Sequence, residues 1–173
     1  MKGTLVKCFA NMIKDNYGEA KWDEILQRSG ESPGMVIKAL SDVDDGMVFK
    51  LVENTCKILK LSQQQVWDKF GDHWVNVYTP RVYTAYFTNF KTAKQFILQM
   101  DKIHVNVTHD IANAHPPRFT FEEVDENTII VNYMSARHMI DYYVGLVKGV
   151  SRYFNTPIGI KTLPDDRIEL TFG

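Results

Sequence analysis

His104 sits in an apolar helical stripe, with Met100, Ile103 and Val107, at a position where a leucine would be expected. A buried imidazole with no partner is unfavourable, so this side chain must bond to something. One reading is a core histidine satisfied by its neighbours. The other is an axial ligand to iron, because neutral imidazole suits that metal and a helix can hold it rigidly. A second constellation is Tyr133-Met134-Ser135-Ala136-Arg137. If a strand continues through Arg137, alternation puts Tyr133, Ser135 and Arg137 on one face. Two hydroxyls and a guanidinium together suit a carboxylate, which guanidinium binds bidentately. The alternative is a polar, solvated strand end. A third feature is Tyr142, one helical turn from Leu146, on a helix that Gly145 and Gly149 leave low in relief. Its hydroxyl belongs either to an ordinary core or to a donor aimed at something bound.

Catalytic arrangements are weak by comparison. Asp101, His104 and His109 can be imagined as a metal or acid–base set, but the two histidines are five residues apart and lie off one helical face. There is no Gly-rich phosphate loop, no Ser-His-Asp logic and no convincing carboxylate pair. His73, His115 and His138 read as surface or locally hydrogen-bonded residues. The expectation is a protein that is not an enzyme.

These residues need elements to hold them. Leu5, Phe9, Met12 and Ile13 predict a helix over 3–17, and a shorter one follows over about 20–28. Asp42, Asp44 and Asp45 read as a capped helix start rather than a metal site, opening a helix over 45–59. Ser62 and Gln65 form a capping box for a helix carrying Trp67, Phe70, Trp74 and Tyr78, which Pro80 ends or kinks. A long helix is expected over about 92–112. Pro116-Pro117 closes the helical half. Strands follow at 119–124 and 128–133, then a helix over 139–154, then a hairpin of 157–163 and 167–172. The fold class is α+β: a helical N-terminal half, about 1–115, packed on a C-terminal half, about 116–173, of antiparallel strands with one long helix. A cofactor would lie between the halves.

Composition narrows the partners. Of 173 residues 45% are hydrophobic, enough for a full core with room to enclose a cofactor. The net charge of −1 gives no bulk case for nucleic acid or an acidic membrane. Cys8 and Cys56 stand in no CxxC pattern, which argues against a thiolate zinc site or a disulfide framework and points to a reducing, cytoplasmic setting. No run reaches transmembrane length. Aromatic residues, 12% of the chain, recur on shared helical faces, as in an aromatic core or a pocket for a flat apolar ligand.

Met1-Lys2-Gly3-Thr4, Ile103-His104, Pro116-Pro117-Arg118 and Tyr133-x-Ser135-x-Arg137, in this order over essentially the whole chain, resemble a heme nitric oxide/oxygen binding (H-NOX) domain, the family related to the heme domain of soluble guanylate cyclase. The resemblance implies heme b (iron protoporphyrin IX), with His104 as proximal iron ligand and Tyr133, Ser135 and Arg137 holding the propionates. It implies that Pro117 presses on the heme, that Met100 belongs to the cofactor site, and that Leu5, Phe9, Trp74, Val75, Tyr142 and Leu146 line the distal pocket. NO, O2 and CO are the implied gas ligands. The implied output is a conformational change read by a signalling protein such as a histidine kinase, a cyclic-nucleotide enzyme or a chemoreceptor module. Family members that hold oxygen usually carry a distal tyrosine, here Tyr142. The supporting tryptophan and asparagine of the best-known oxygen-binding pattern are replaced by Phe9, which donates nothing, and Trp74, which donates but cannot accept. The rival expectation is an interaction module of the same fold without physiological gas sensing.

Overall fold

The computed structural model describes residues 1–173, and the chain divides into two compact units, Met1–Phe70 and Gly71–Gly173. In the first, α1 (Gly3–Tyr17), α2 (Glu19–Arg28) and α3 (Asp45–Leu59) fall where the apolar spacing predicts them. Gly18, at φ 86°, stops α1 with its N–H on the Lys14 carbonyl, a conformation that glycine adopts without steric cost. The Asp44 carboxylate caps α3 by accepting from the Met47 N–H at 2.9 Å, and the N-terminal ammonium donates to Asp45 at 2.6 Å. The acidic cluster is therefore a helix start, as read. The capping box also forms: Gln65 N–H donates to Ser62 Oγ at 3.2 Å and Ser62 N–H to Gln65 Oε1 at 2.8 Å. It opens α4 (Gln63–His73). Phe9 packs edge-on to Trp22, with ring centroids 6.3 Å apart, and lies 6.1 Å from Phe70 in a core that includes Met12, Ile13, Ile25 and Leu51. No helix is long and apolar enough to cross a membrane.

The second unit begins well before the strands, because the helices after Gly71 bury their apolar faces on the sheet. Pro116-Pro117 marks where strands begin in sequence; the compact unit starts at Gly71. Pro80, expected to end or kink the helix, does not end it. The backbone widens ahead of it into a π-helical turn, Trp74–Tyr78, and Pro80 then lies in the first turn of α5 (Thr79–Val82), where its missing N–H does no harm. A short α6 (Thr84–Phe87) follows. The single helix expected over 92–112 is in fact two, α7 (Ala93–Leu98) and α8 (Met100–Thr108). Gln99 leaves helical geometry at φ −95°, ψ 1°; at the last residue of α8 the Thr108 hydroxyl turns back to the His104 carbonyl at 2.7 Å, and beyond the helix Asn113 adopts φ 56°. A stripe read at one period cannot register such a break.

Strands β1 (Arg118–Glu123), β2 (Thr128–Met134), β3 (Ile158–Leu163) and β4 (Arg167–Phe172), with α9 (Ile140–Tyr153) between β2 and β3, form an antiparallel sheet of order β1-β2-β4-β3. In β2 the alternation puts Ile129, Val131 and Tyr133 inward, against Val144, Val147 and Val150 of α9 and Phe96 and Ile97 of α7. The glycines of α9 work as their spacing suggested. A Cβ on Gly71 would lie 2.0 Å from the Gly145 carbonyl oxygen, and one on Gly149 would lie 2.4 Å from that of Gly71, so the backbones meet where side chains would forbid it. Asn76 adds a bond to the Gly149 carbonyl at 3.2 Å, and Arg152 pairs with Asp72 at 2.8 Å.

Candidate functional site

The site grows from the β1–β2 pairing. Phe119 faces Tyr133 across the ladder, their ring centroids 5.7 Å apart. Tyr143, on the first turn of α9, closes the cluster: it lies 5.0 Å from Phe119 and stacks on Tyr133 at 5.5 Å and 13°. On the other side of Phe119 lies the His104 ring, at 5.4 Å. All three aromatic side chains, Phe119, Tyr133 and Tyr143, are buried.

His104 is half-buried, and it is the needy imidazole that its place in the stripe suggested. Its Nδ1 is shielded from solvent and has no hydrogen-bond partner. Burial lowers the imidazole pKa from 6.5 to about 4; the Pro117 carbonyl and the Asp101 charge oppose this, the carbonyl lying close enough to favour a proton without completing a bond at Nδ1. The ring is therefore neutral at pH 7, the form that ligates metals. The helix that carries it is clamped one turn earlier. Asp101 accepts from Arg118 Nε at 2.7 Å and Nη2 at 2.8 Å, and from the Phe119 N–H at 2.9 Å. Arg118 above all, then that amide, brings its carboxyl down to about 2. Asp101 thus ties α8 to β1 beside His104. Nothing in the residue pattern alone pointed to this clamp, because it joins a helix to a strand 17 residues away.

The strand premise behind the carboxylate-binding trio is corrected: β2 ends at Met134, and residues 135–138 turn. The Ser135 hydroxyl accepts from the Arg137 N–H at 3.3 Å, the Ser135 carbonyl accepts from the His138 N–H at 3.1 Å, and His138 takes φ 48°. The Tyr133 and Ser135 side chains still meet, with the Arg137 charge near them, gathered by a turn rather than by alternation. A hydrogen bond joins the Tyr133 and Ser135 hydroxyls, and Arg137 is near enough to favour the Tyr133 phenolate, though burial outweighs both and raises that phenol's pKa. Arg137 Nη1 donates to the His115 carbonyl at 3.3 Å, holding the loop that leads to Pro117. His138 pairs with Asp166 at 2.6 Å and so pins the turn to the β3–β4 hairpin.

The remaining candidates divide. Val75 is buried in the second unit's core, with Trp74, Met100 and Leu146 partly buried against it. Trp74 stacks on Tyr78 at 5.2 Å, within the π-helical turn. Tyr142 is half-buried on α9. Leu5 and Phe9 belong to α1 in the first unit, Leu5 half-buried and Phe9 buried between Trp22 and Phe70. The acid–base set does not assemble: Asp101 is engaged by Arg118, and His109 is exposed beside Asp110. No group of three or more His, Cys, Asp or Glu side chains gathers to hold a metal ion.

An α+β fold that shields an unpartnered imidazole nitrogen beside hydroxyls and a guanidinium has the chemistry of a cofactor-binding domain. The family described as Haem-NO-binding matches residues 2–162, and the chain belongs to that family, the H-NOX domains related to the heme domain of soluble guanylate cyclase. Among curated proteins it is 26% identical over 159 residues to soluble guanylate cyclase gcy-32 of Caenorhabditis elegans, with 88% of this chain and 23% of that protein covered. It is likewise 26% identical over 168 residues to gcy-34 of the same organism, with 92% and 24% covered. The chain thus spans about a quarter of these relatives' length. Among solved structures it matches an oxygen-binding H-NOX domain related to soluble guanylate cyclases, in its oxygen complex, at TM-score 0.83 and 28% identity, covering 99% of this chain and 95% of that one. A mutant H-NOX domain of T. tengcongensis matches at TM-score 0.87 and 28% identity, with 99% and 97% covered.

Proposed function

We propose that this chain is a heme-based sensor of diatomic gas, of NO and of O2, with CO as a further ligand, that signals to a partner protein by conformational change. The observation that carries the reading is the His104 imidazole, neutral and with its Nδ1 shielded from solvent and unpartnered, beside a cluster that suits carboxylates. Heme b fits this donor set: it needs one neutral imidazole for iron and polar donors for two propionates. When bound, it supplies an iron centre with a coordination position open to a gas. His104 would hold the iron. Tyr133, Ser135 and Arg137 would hold the carboxylates, with Arg137 supplying charge-assisted bonds. Pro117 and Met100 would pack on the ring, as would Leu146, while Trp74 and Val75 would line the gas side. Tyr142 would present its hydroxyl as a donor toward a bound gas carrying partial negative charge.

The output follows from the clamp on α8. Any change in the pull on His104 is felt one turn away at Asp101, whose bonds to Arg118 and the Phe119 amide carry it into β1. A cytoplasmic signalling protein (a histidine kinase, a cyclic-nucleotide enzyme or a chemoreceptor module) would read that surface. The cyclase activity in the relatives' names belongs to proteins about four times as long.

The test is an absorption spectrum of the heme-loaded, reduced protein without gas, in air, and with NO. A stable oxygen spectrum in air supports sensing of both gases with Tyr142 as donor. A response to NO alone restricts the reading to NO. Failure to take up stoichiometric heme refutes it.

A further inference from the structure

Two buried side-chain polar atoms in this chain lack a hydrogen-bond partner, and both flank Phe119. His104 Nδ1 is one. The other, the Tyr143 hydroxyl, has no place in the reading above. Tyr143 is 4% exposed, and its ring contacts Phe119 and Tyr133. Phenylalanine would make the same stacking contacts without leaving a hydroxyl unsatisfied, which is a net cost inside a protein. The hydroxyl therefore calls for an acceptor that the polypeptide does not itself supply.

Its neighbours indicate the chemistry of that acceptor. Tyr143 stacks nearly parallel to Tyr133, whose own hydroxyl is bonded to Ser135 and which Arg137 also influences. The two phenols are close enough for Tyr133 to disfavour ionisation of Tyr143, and burial disfavours it more strongly, so the Tyr143 phenol stays protonated as a donor. A protonated phenol, two further hydroxyls and a guanidinium form a donor-rich set with a single cation, matched to an anionic oxygen ligand. In heme b the groups of that kind are the two propionates.

The geometry points to Tyr143 as a fourth donor of the carboxylate-holding cluster: in the loaded protein its hydroxyl, stacked beside Tyr133, hydrogen-bonds a heme carboxylate. This rests on the heme reading and extends it to a residue that neither the Tyr-x-Ser-x-Arg pattern nor the distal position of Tyr142 includes. It also accounts for two adjacent tyrosines on α9 with different tasks, since neighbouring helical residues point about 100° apart.

The test is Tyr143→Phe, which removes one oxygen and keeps the stacked ring. Heme transfer to apomyoglobin is timed by absorbance for both proteins, loaded once with heme and once with its dimethyl ester, which lacks charged carboxylates. The expected result is about tenfold faster loss of heme from the variant, the weight of one hydrogen bond to a charged acceptor, with no difference between the proteins for the ester. Unfolding of the heme-free proteins is measured alongside, and the variant should be at least as stable as the parent. Equal loss of heme from both proteins overturns the proposal. Equal acceleration with heme and ester also overturns it, assigning the hydroxyl to packing or to a trapped water. A parent protein that fails to take up heme refutes the heme reading itself and this inference with it.

Discussion

Replacing His104 with leucine should change the stability of the heme-free protein in a pH-dependent way, and the size of the change follows from the imidazole's surroundings. Burial lowers its pKa from 6.5 to about 4. In the unfolded chain the group binds its proton near 6.5, so as pH falls the unfolded state takes up a proton that the folded state refuses. Stability is fully present above 6.5 and is lost as pH falls toward 4. A shift of about 2.5 units at 1.36 kcal/mol each sets an order-of-magnitude ceiling of roughly 3 kcal/mol, of which about 2.5 kcal/mol is gone by pH 4.5. With a urea dependence of about 2 kcal/mol per molar, the parent's midpoint should drop by about 1 M more than the variant's between pH 7.5 and pH 4.5. His104→Leu cannot titrate there, and at pH 7.5 it should match or exceed the parent, because it removes the unpartnered Nδ1. The assay is urea unfolding by circular dichroism at both pH values, and heme retention in parallel, which the variant should lose. Parallel pH dependence in the two proteins would refute the claim that this imidazole is desolvated, neutral and unsatisfied.

Four further outcomes follow from the same geometry. Arg137→Ala should speed heme transfer to apomyoglobin by about ten- to a hundredfold, as expected for a charge-assisted contact, and an unchanged rate would remove Arg137 from the site. Tyr142→Phe should speed oxygen dissociation while leaving NO binding intact, which stopped-flow absorbance reads directly. Gly71→Ala should cost about 1–3 kcal/mol or more, because its Cβ would sit 2.0 Å from the Gly145 carbonyl oxygen, whereas Gly159→Ala, with its nearest contact at 3.7 Å, should be tolerated; thermal unfolding compares them. Asp101→Asn should cost about 1 kcal/mol, discounted for the exposure of Arg118, and should raise hydrogen exchange at the Phe119 amide that it anchors.

Much of the fold was legible because its signals are local. Capping by Asp44, the Ser62–Gln65 box and the turn at Gly18 lie within four residues of the groups they serve, so their residue types suffice. The three glycines Gly71, Gly145 and Gly149 illustrate the intermediate case: spacing on α9 announced a close approach, but not that Gly71 was what approached. The break at Gln99 and the π-helical turn at Trp74–Tyr78 left no mark, because both preserve an apolar face that one helical period describes equally well.

What the sequence determined by itself was therefore most of the elements, the α+β class and the candidate residues on which the proposed function rests, since side-chain type and short-range spacing are properties of the chain. Tertiary structure alone decided how those residues are held. Tyr133, Ser135 and Arg137 were expected on one face of a strand and are gathered by a turn instead, because β2 ends at Met134. The Asp101 clamp, and the meeting of Tyr143 with Tyr133 and Phe119, join positions 10 to 24 residues apart through backbone pairing and packing. Burial is likewise collective: no feature of residue 104 alone sets its pKa, because the desolvation that lowers it comes from neighbours that only the folded chain brings together.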